Sequence, residues 1–326
     1  MPAIRWGILG TGNIAAQFAR GLAELDDATL VAVGSRTPEA AAAFGQRFGA
    51  ARAHGSYAAL ANDPDVDAIY VATPHPFHKD NTLLCLSAGK AVLCEKPFAI
   101  NAGEAAEMIA SARARGVFLM EAMWTRFLPH MVRLRELLAA GVIGEVRMLQ
   151  ADFGFRTGFD PRGRLFDPAL GGGALLDVGI YPASLASMVF GAPERIAGMA
   201  HLGATGVDEQ SAMIFGYAGG QLALLSQATR TNTPHEALLL GTAGRIRVHG
   251  SWWKAASMTL SLDGQPDERI DTPSVGNGYN YEAAEVGRCL RAGLAESATM
   301  PLDETLAIMR TLDEVRAQWG LRYPGE

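Results

Sequence analysis

Up to about residue 122, short apolar runs alternate with amphipathic stretches along the chain. The runs Ile4–Leu9, Thr29–Gly34, Ala68–Ala72, Ala91–Cys94 and Val117–Met120 are apolar or β-branched at successive positions, as in strands covered by helices on both faces. Between them, Ile14–Leu25, Pro38–Phe48, Asn81–Ala88 and Ala102–Arg115 carry helical periodicity. Gly49, Gly89 and Gly116 follow three of these segments, where a helix ends most easily on a left-handed residue. The pattern predicts βαβ units and a doubly wound parallel sheet.

After Trp124 the rhythm changes. Pro129–Ala140 reads as a helix stopped by Gly141, and alternation of period two then sets in. Val146–Phe155, Ser211–Tyr217, Gln221–Thr229, Ala237–Leu240 and Arg245–Val248 predict a largely antiparallel open sheet. A helical block near Ala174–Phe190 interrupts it, and Tyr281–Ala292 and Leu302–Trp319 read as closing helices. The Gly- and Pro-rich segment Thr157–Pro168 predicts an exposed loop. The expected fold is thus α/β: a Rossmann domain over 1–122 that binds a dinucleotide, then an α+β domain over 123–326 for substrate and oligomerisation.

A chain of 326 residues fits two domains. A net charge of −6, without a basic run, supplies no footprint for nucleic acid. No apolar stretch is expected to span a membrane, and Ile4–Leu9 is too short for a secretory leader. Cys85, Cys94 and Cys289 are scattered without metal-ligand spacing, so no metal site is expected and the thiols are expected reduced, in the cytoplasm.

The chemistry concentrates at the strand ends. Gly10-Thr11-Gly12-Asn13-Ile14-Ala15 follows a strand and opens a helix, the context in which GxGxxA binds a pyrophosphate. Gly10 makes the turn, Gly12 admits the phosphates to the backbone, and Ala15 keeps helix and strand close. Where an NAD-type site places a carboxylate for the ribose hydroxyls, this chain has Ser35 and Arg36. A hydroxyl and a guanidinium suit a 2′-phosphate, which favours NADP over NAD. The alternative is that Arg36 caps the turn before Pro38. Glu95-Lys96-Pro97 ends the strand Ala91–Cys94 on the ligand edge of the sheet, where Lys96 either meets the nicotinamide or is a solvated strand end. Thr73, Pro74, His75 and His78 follow the strand Ala68–Ala72 on the same edge, as ribose or substrate contacts or as turn residues. Trp124 and Arg126 stand at the crossover, as cofactor contacts or as packing and a salt bridge. Trp252, Trp253, Tyr279 and Tyr281 read as core or interface in preference to a sugar platform.

GxGxxA at Gly10–Ala15, Glu95-Lys96-Pro97 and Gly171-Gly172-Gly173 leading into Asp177-Val178-Gly179-Ile180-Tyr181 occur in order, and together they resemble the Gfo/Idh/MocA oxidoreductases over essentially the whole chain. Ala88–Pro97, Gly116–Pro129 and Gly172–Tyr181 look most like the branch of dimeric dihydrodiol dehydrogenase and NADP-dependent D-xylose dehydrogenase. The resemblance implies that Lys96 and Tyr181 are the reactive pair and that Asp177 is a substrate contact or supports one. It also implies that the second domain's sheet roofs the site and often forms the interface of a dimer or tetramer. Some relatives carry His where this chain has Tyr181. A phenol titrates near 10 and needs a cationic neighbour to serve near neutrality, the role implied for Lys96. Asp177 precedes Tyr181 by one helical turn, but Pro182 interrupts the ladder, and a helix N-terminal charge is the other reading of Asp177.

The expected activity is hydride transfer between NADP and a secondary alcohol or hemiacetal carbon of a small polyhydroxy compound: an aldose, a polyol or a cyclic trans-diol. Two other classes share the resemblance. Glycosidases of this kind use transient oxidation and tend to carry His in place of Tyr181. Dinucleotide sensors characteristically lose the lysine that is present here as Lys96.

Overall fold

The computed structural model describes residues 3–326. The chain forms two compact units, the first running to Phe127 and resuming at Val275–Leu306, the second comprising Leu128–Ser274 and Ala307–Glu326.

The first unit contains β1 (Ile4–Leu9), α1 (Asn13–Leu22), β2 (Ala28–Gly34), α2 (Pro38–Phe48), β3 (Arg52–His54), α3 (Tyr57–Ala61), β4 (Ala68–Val71), α4 (His78–Ser87), β5 (Ala91–Glu95), α5 (Ala102–Arg115) and β6 (Leu119–Ala122). The strands are all parallel, in the order β3-β2-β1-β4-β5-β6. This is the doubly wound Rossmann order, with its reversal between β1 and β4. Local chemistry sets the helix limits. Thr37 accepts from the Ala40 amide at the start of α2, and Asn101 accepts from Glu104 at the start of α5. Gly49, Gly89 and Gly116 take the expected left-handed conformation, at φ 74°, 73° and 63°. Trp6, Phe18 and Tyr70 fill the core beneath β1 and β4, with the Phe18 and Tyr70 rings stacked 3.8 Å apart.

In the second unit, α6 (Pro129–Ala139) and β7 (Val146–Gly154) lead to α7 (Ile180–Phe190), and the remaining strands follow: β8 (Arg195–Leu202), β9 (Asp208–Gly216), β10 (Leu222–Ala228), β11 (Ala237–Gly241), β12 (Gly244–Val248), β13 (Ser257–Leu262) and β14 (Glu268–Asp271). They form an eight-stranded sheet, β14-β13-β12-β11-β7-β10-β9-β8, antiparallel throughout except where β10 pairs with β7. Helix α8 (Tyr279–Arg291) belongs to the first unit, and α9 (Leu302–Gln318) closes the chain.

Pattern reading passes over β3, β8, β13 and β14. β3, β8 and β14 lie at sheet edges, and β3 is only three residues long. β8 (RIAGMAHL) alternates in burial but not in hydrophobicity, so pairing with β9 defines it more than its own residues do. The block near Ala174–Phe190 is two segments: a π-helical turn, Leu175–Gly179, precedes α7. Contrary to expectation, Pro168–Phe190 is long and apolar enough by composition to cross a membrane, but 78% of that window is buried inside the protein. It is a core segment.

Candidate active site

Gly10 follows β1 with φ +105°, and a Cβ there would lie 3.0 Å from the Ala72 carbonyl oxygen. Only glycine suits both its conformation and that approach. Gly12 caps α1, and a Cβ built on it meets nothing within 4 Å. Asn13 is exposed and Ile14 half-buried beside it. The first turn of α1 carries no acidic residue, so the positive end of its dipole is not neutralised locally. The open surface over Gly12 and this helix end fit a pyrophosphate.

At the end of β2, Ser35 is buried, its Oγ 3.4 Å from Thr11 Oγ1, and Arg36 is exposed. The Arg36 guanidinium acts electrostatically on Tyr57, opposing the effect of burial, which raises that phenol. Arg36 has no ion-pair partner among the described residues. The end of β2 therefore sets the Ser35 hydroxyl beside Thr11 of the Gly10–Gly12 loop, with the Arg36 cation next along the chain, and neither Ser35 nor Arg36 supplies a carboxylate.

The loops after β4 and β5 are tied together by His78. Its ring is wholly buried, with Nδ1 2.8 Å from the Pro97 carbonyl oxygen and Nε2 2.7 Å from that of Thr73. Burial lowers its pKa, and a neutral imidazole donates to one of these carbonyls at a time. His75 lies edge-on to it, the ring centroids 5.8 Å apart. Thr73 accepts from Asn81, and Pro74 is exposed. Glu95 is buried; one carboxylate oxygen accepts from the Tyr70 hydroxyl and the other from the Lys96 amide at 3.1 Å. These bonds fix the backbone that carries Lys96, whose side chain is half-buried and whose bond to Pro97 is cis. Below them Glu282, on α8, is fully buried; burial first and Glu95 second push its carboxyl well above the ordinary range.

Trp124 stacks on Tyr279, with centroids 4.8 Å apart, and Arg126 pairs with Glu304 at 2.7 Å. The sequence left each of these two residues a packing role and a cofactor role, and the packing contacts are present. Near Arg126, Glu121 is fully buried and accepts from Thr305. Burial raises its carboxyl from 4.5 to about 7. Between those values the folded state holds a proton that the unfolded state has released. Its contribution to stability is therefore complete on the acid side and is lost as pH rises through about 7. Glu121→Gln, which cannot ionise, is expected to raise the thermal midpoint over wild type at about pH 8 and to change it little at about pH 5. Unfolding scans at both pH values check this; equal shifts at both would contradict it.

In the second unit, Asp177 lies in the π-helical turn and forms a two-pronged pair with Arg164, at 2.8 and 3.4 Å. The reading of Asp177 as a helix N-terminal charge omits this partner. Arg164 comes from the exposed loop, and nothing in the sequence links it to Asp177. Tyr181 is 7% exposed, on the first turn of α7. Its ring tilts against Phe153 at 5.3 Å, Phe153 stacks on Trp253 at 3.5 Å, and His235 closes the cluster edge-on. Phe153 and His235 were missed because strand alternation presents Phe153 as ordinary core and His235 sits in a loop. Trp252 is fully buried and donates to the Asp152 carbonyl at 2.7 Å, so it is core as expected. Cys85, Cys94 and Cys289 are buried and unpaired, and burial pushes Cys85 up to about 12 and Cys289 to about 11.

Residues 4–123 match the family described as "Oxidoreductase family, NAD-binding Rossmann fold", and residues 131–251 match the "GFO/IDH/MocA C-terminal domain". The chain belongs to the Gfo/Idh/MocA oxidoreductases. As a member it is an NAD(P)-dependent oxidoreductase, in keeping with the strand order and the Gly10–Gly12 turn. Similar relatives include trans-1,2-dihydrobenzene-1,2-diol dehydrogenase of Mus musculus, 42% identical over 99% of this chain and 98% of the relative. The Homo sapiens protein of the same name is 39% identical, with the same coverage. Among solved structures, a 3-ketoreductase from Actinomadura kijaniata in complex with NADP and TDP-benzene aligns with TM-score 0.86 and 26% identity, covering 97% of each chain. An aldose-aldose oxidoreductase from Caulobacter crescentus, complexed with glycerol, aligns with TM-score 0.88 and 26% identity over 98% of each.

Proposed function

We propose that this Gfo/Idh/MocA protein is an NADP-dependent dehydrogenase of a secondary alcohol or hemiacetal carbon in a cyclic trans-diol or an aldose. The observation that carries the substrate class is identity of about 40%, over nearly the whole chain, to enzymes named trans-1,2-dihydrobenzene-1,2-diol dehydrogenase. The relatives named for ketone and aldose chemistry point the same way.

Gly10, Gly12, Asn13 and Ile14 hold the pyrophosphate by backbone amides, and Ser35 and Arg36 hold the 2′-phosphate. The dinucleotide supplies the hydride acceptor. Tyr181, with Lys96 assisting, takes the hydroxyl proton as the alcohol is oxidised and returns it in reduction. Asp177, fixed by Arg164, orients a neighbouring hydroxyl of the substrate. Thr73, Pro74, His75 and His78 shape the loop beside Pro97, while Glu95 holds the Lys96 backbone. The Phe153 ring, backed by Trp253, gives Tyr181 an apolar wall that limits water beside the hydroxyl.

Three features support the rest of the reading. Met199, Ile214 and Leu224 are exposed apolar side chains on β8, β9 and β10, which suits burial against a second copy in a homo-oligomer. Buried, unpaired thiols suit a reducing, cytoplasmic setting. A net charge of −6 argues for small-molecule substrates and not nucleic acid.

Arg36→Ala tests the cofactor assignment. Losing a charge-assisted contact to phosphate is expected to weaken NADP binding roughly 10- to 150-fold. NAD lacks that phosphate, so its Kd should hardly move. Nicotinamide fluorescence titrations at fixed ionic strength give both constants. A wild type that prefers NAD, or a variant that loses both cofactors equally, would overturn the assignment.

A further inference from the structure

The residues that set Tyr181 in place lie on neighbouring strands of its own unit. The segment before it begins in a glycine loop, with Gly171 at φ +69° and Gly173 at φ +120°. A Cβ on Gly173 would lie 2.4 Å from Asp208 Oδ1 and 3.3 Å from the Tyr323 hydroxyl, so the loop runs directly against both. Tyr323 donates to the Gly172 carbonyl at 2.8 Å. Asp208 Oδ2 accepts from the Leu175 amide at 2.8 Å, the first amide of the π-helical turn, and from Ser211 Oγ at 3.0 Å. Ser211 Oγ in turn accepts from Gln227 Nε2 at 2.7 Å, and these two residues are cross-strand partners of β9 and β10. Gln227 reaches the far end of the same turn, where a Cβ on Gly179 would lie 3.0 Å from its side-chain amide carbon. One buried hydrogen-bonded chain therefore touches both Leu175 and Gly179.

Packing alone does not account for an acid here. Asp208 is fully buried and its Oδ1 has no partner among the described residues, an arrangement that costs stability. Burial raises its carboxyl to about 7, against the pull of Ser211, the Leu175 amide and its own backbone amide. A carboxylate is, however, a strong acceptor for an unsatisfied amide at the start of a helical segment. A π turn holds one more residue than an α turn. Relaxation to α register would therefore rotate the residues after it by roughly 100° relative to those before it.

We infer that Asp208, backed by Ser211 and Gln227, is a positioning residue that holds the π-helical turn in register and thereby aims Asp177 and Tyr181. The catalytic part of this inference rests on the role proposed above for Tyr181. Its structural part does not, and the test separates the two.

Amide hydrogen exchange and steady-state kinetics on the full chain, in wild type, Asp208→Ala, Asp208→Asn and Tyr181→Phe, provide the test. Asp208→Ala is expected to lose protection selectively over residues 175–181 and to lower kcat by roughly 10- to 100-fold, with Kd for NADPH unchanged. Asp208→Asn keeps an acceptor for the Leu175 amide and should restore both protection and kcat to within a few-fold. If Asp208→Ala does not fold, Ser211→Ala and Gln227→Leu break the same chain further from the turn and should show the same pattern more weakly. Unchanged protection over 175–181 in the folded variants overturns the positioning. So does a loss of kcat, dinucleotide affinity and thermal midpoint all together, which would mark a merely structural role. Full activity of Tyr181→Phe alongside selective loss of protection in Asp208→Ala would overturn the reading of Tyr181 and leave the positioning standing.

Discussion

Lys96→Met is expected to lower kcat by at least about 100-fold while leaving the dinucleotide Kd within a few-fold of wild type. The side chain stands at the carboxyl end of β5, where ligands of open α/β sheets bind. Its backbone is held by Glu95, which Tyr70 fixes in turn, so truncating the charge leaves the loop in place. Methionine keeps most of the apolar stem and removes only the ammonium. In the proposed function the charge acts on the reacting oxygen, whereas the dinucleotide is held mainly by the backbone over Gly10 and Gly12. Stopped-flow or steady-state kinetics, with a fluorescence titration, separates the two quantities. A variant that keeps about a tenth or more of wild-type kcat would remove Lys96 from the chemistry.

Tyr181→Phe is the companion experiment. Only a hydroxyl is lost, the ring's contact with Phe153 remains, and the thermal midpoint should stay close to wild type. Loss of a general acid–base group lowers kcat by roughly 10²-fold or more. Near-normal kcat with a normal midpoint would move the proton-transfer role elsewhere. His78 is a poor substitute, because both of its ring nitrogens face backbone carbonyls at Thr73 and Pro97.

The Rossmann half was legible because its signals are local. Continuous apolar runs, Thr37 and Asn101 at helix starts, and Gly49 and Gly116 at helix ends each carry their own instruction. The bounds of α2 and α5 follow from those residues alone. The edge strands β8 and β14 were not legible, because pairing partners supply what their side chains lack. The π-helical turn escaped for a related reason. Pro182 shows that a regular ladder is interrupted, but the acceptor that holds the turn is Asp208, 33 residues on from Leu175 and on another strand. Likewise, Lys96, Tyr181 and Asp177 stand out as chemistry-bearing residues, whereas Arg164, Phe153 and Gln227 carry no sequence mark of the contacts they make. Spacing along the chain discloses a motif; only the fold discloses what surrounds it.

Hydride transfer from a carbinol carbon to the dinucleotide is tested most directly by isotope label. A cyclic trans-diol or aldose deuterated at the reacting carbon, incubated with the protein and NADP, should yield reduced dinucleotide carrying the deuterium at nicotinamide C4, read by mass spectrometry and NMR. Reduced dinucleotide without the label, or label kept on the substrate with no net reduction while the hydrogen on the adjacent carbon exchanges with solvent, would contradict the account, the latter being the pattern of transient oxidation in a glycosidase.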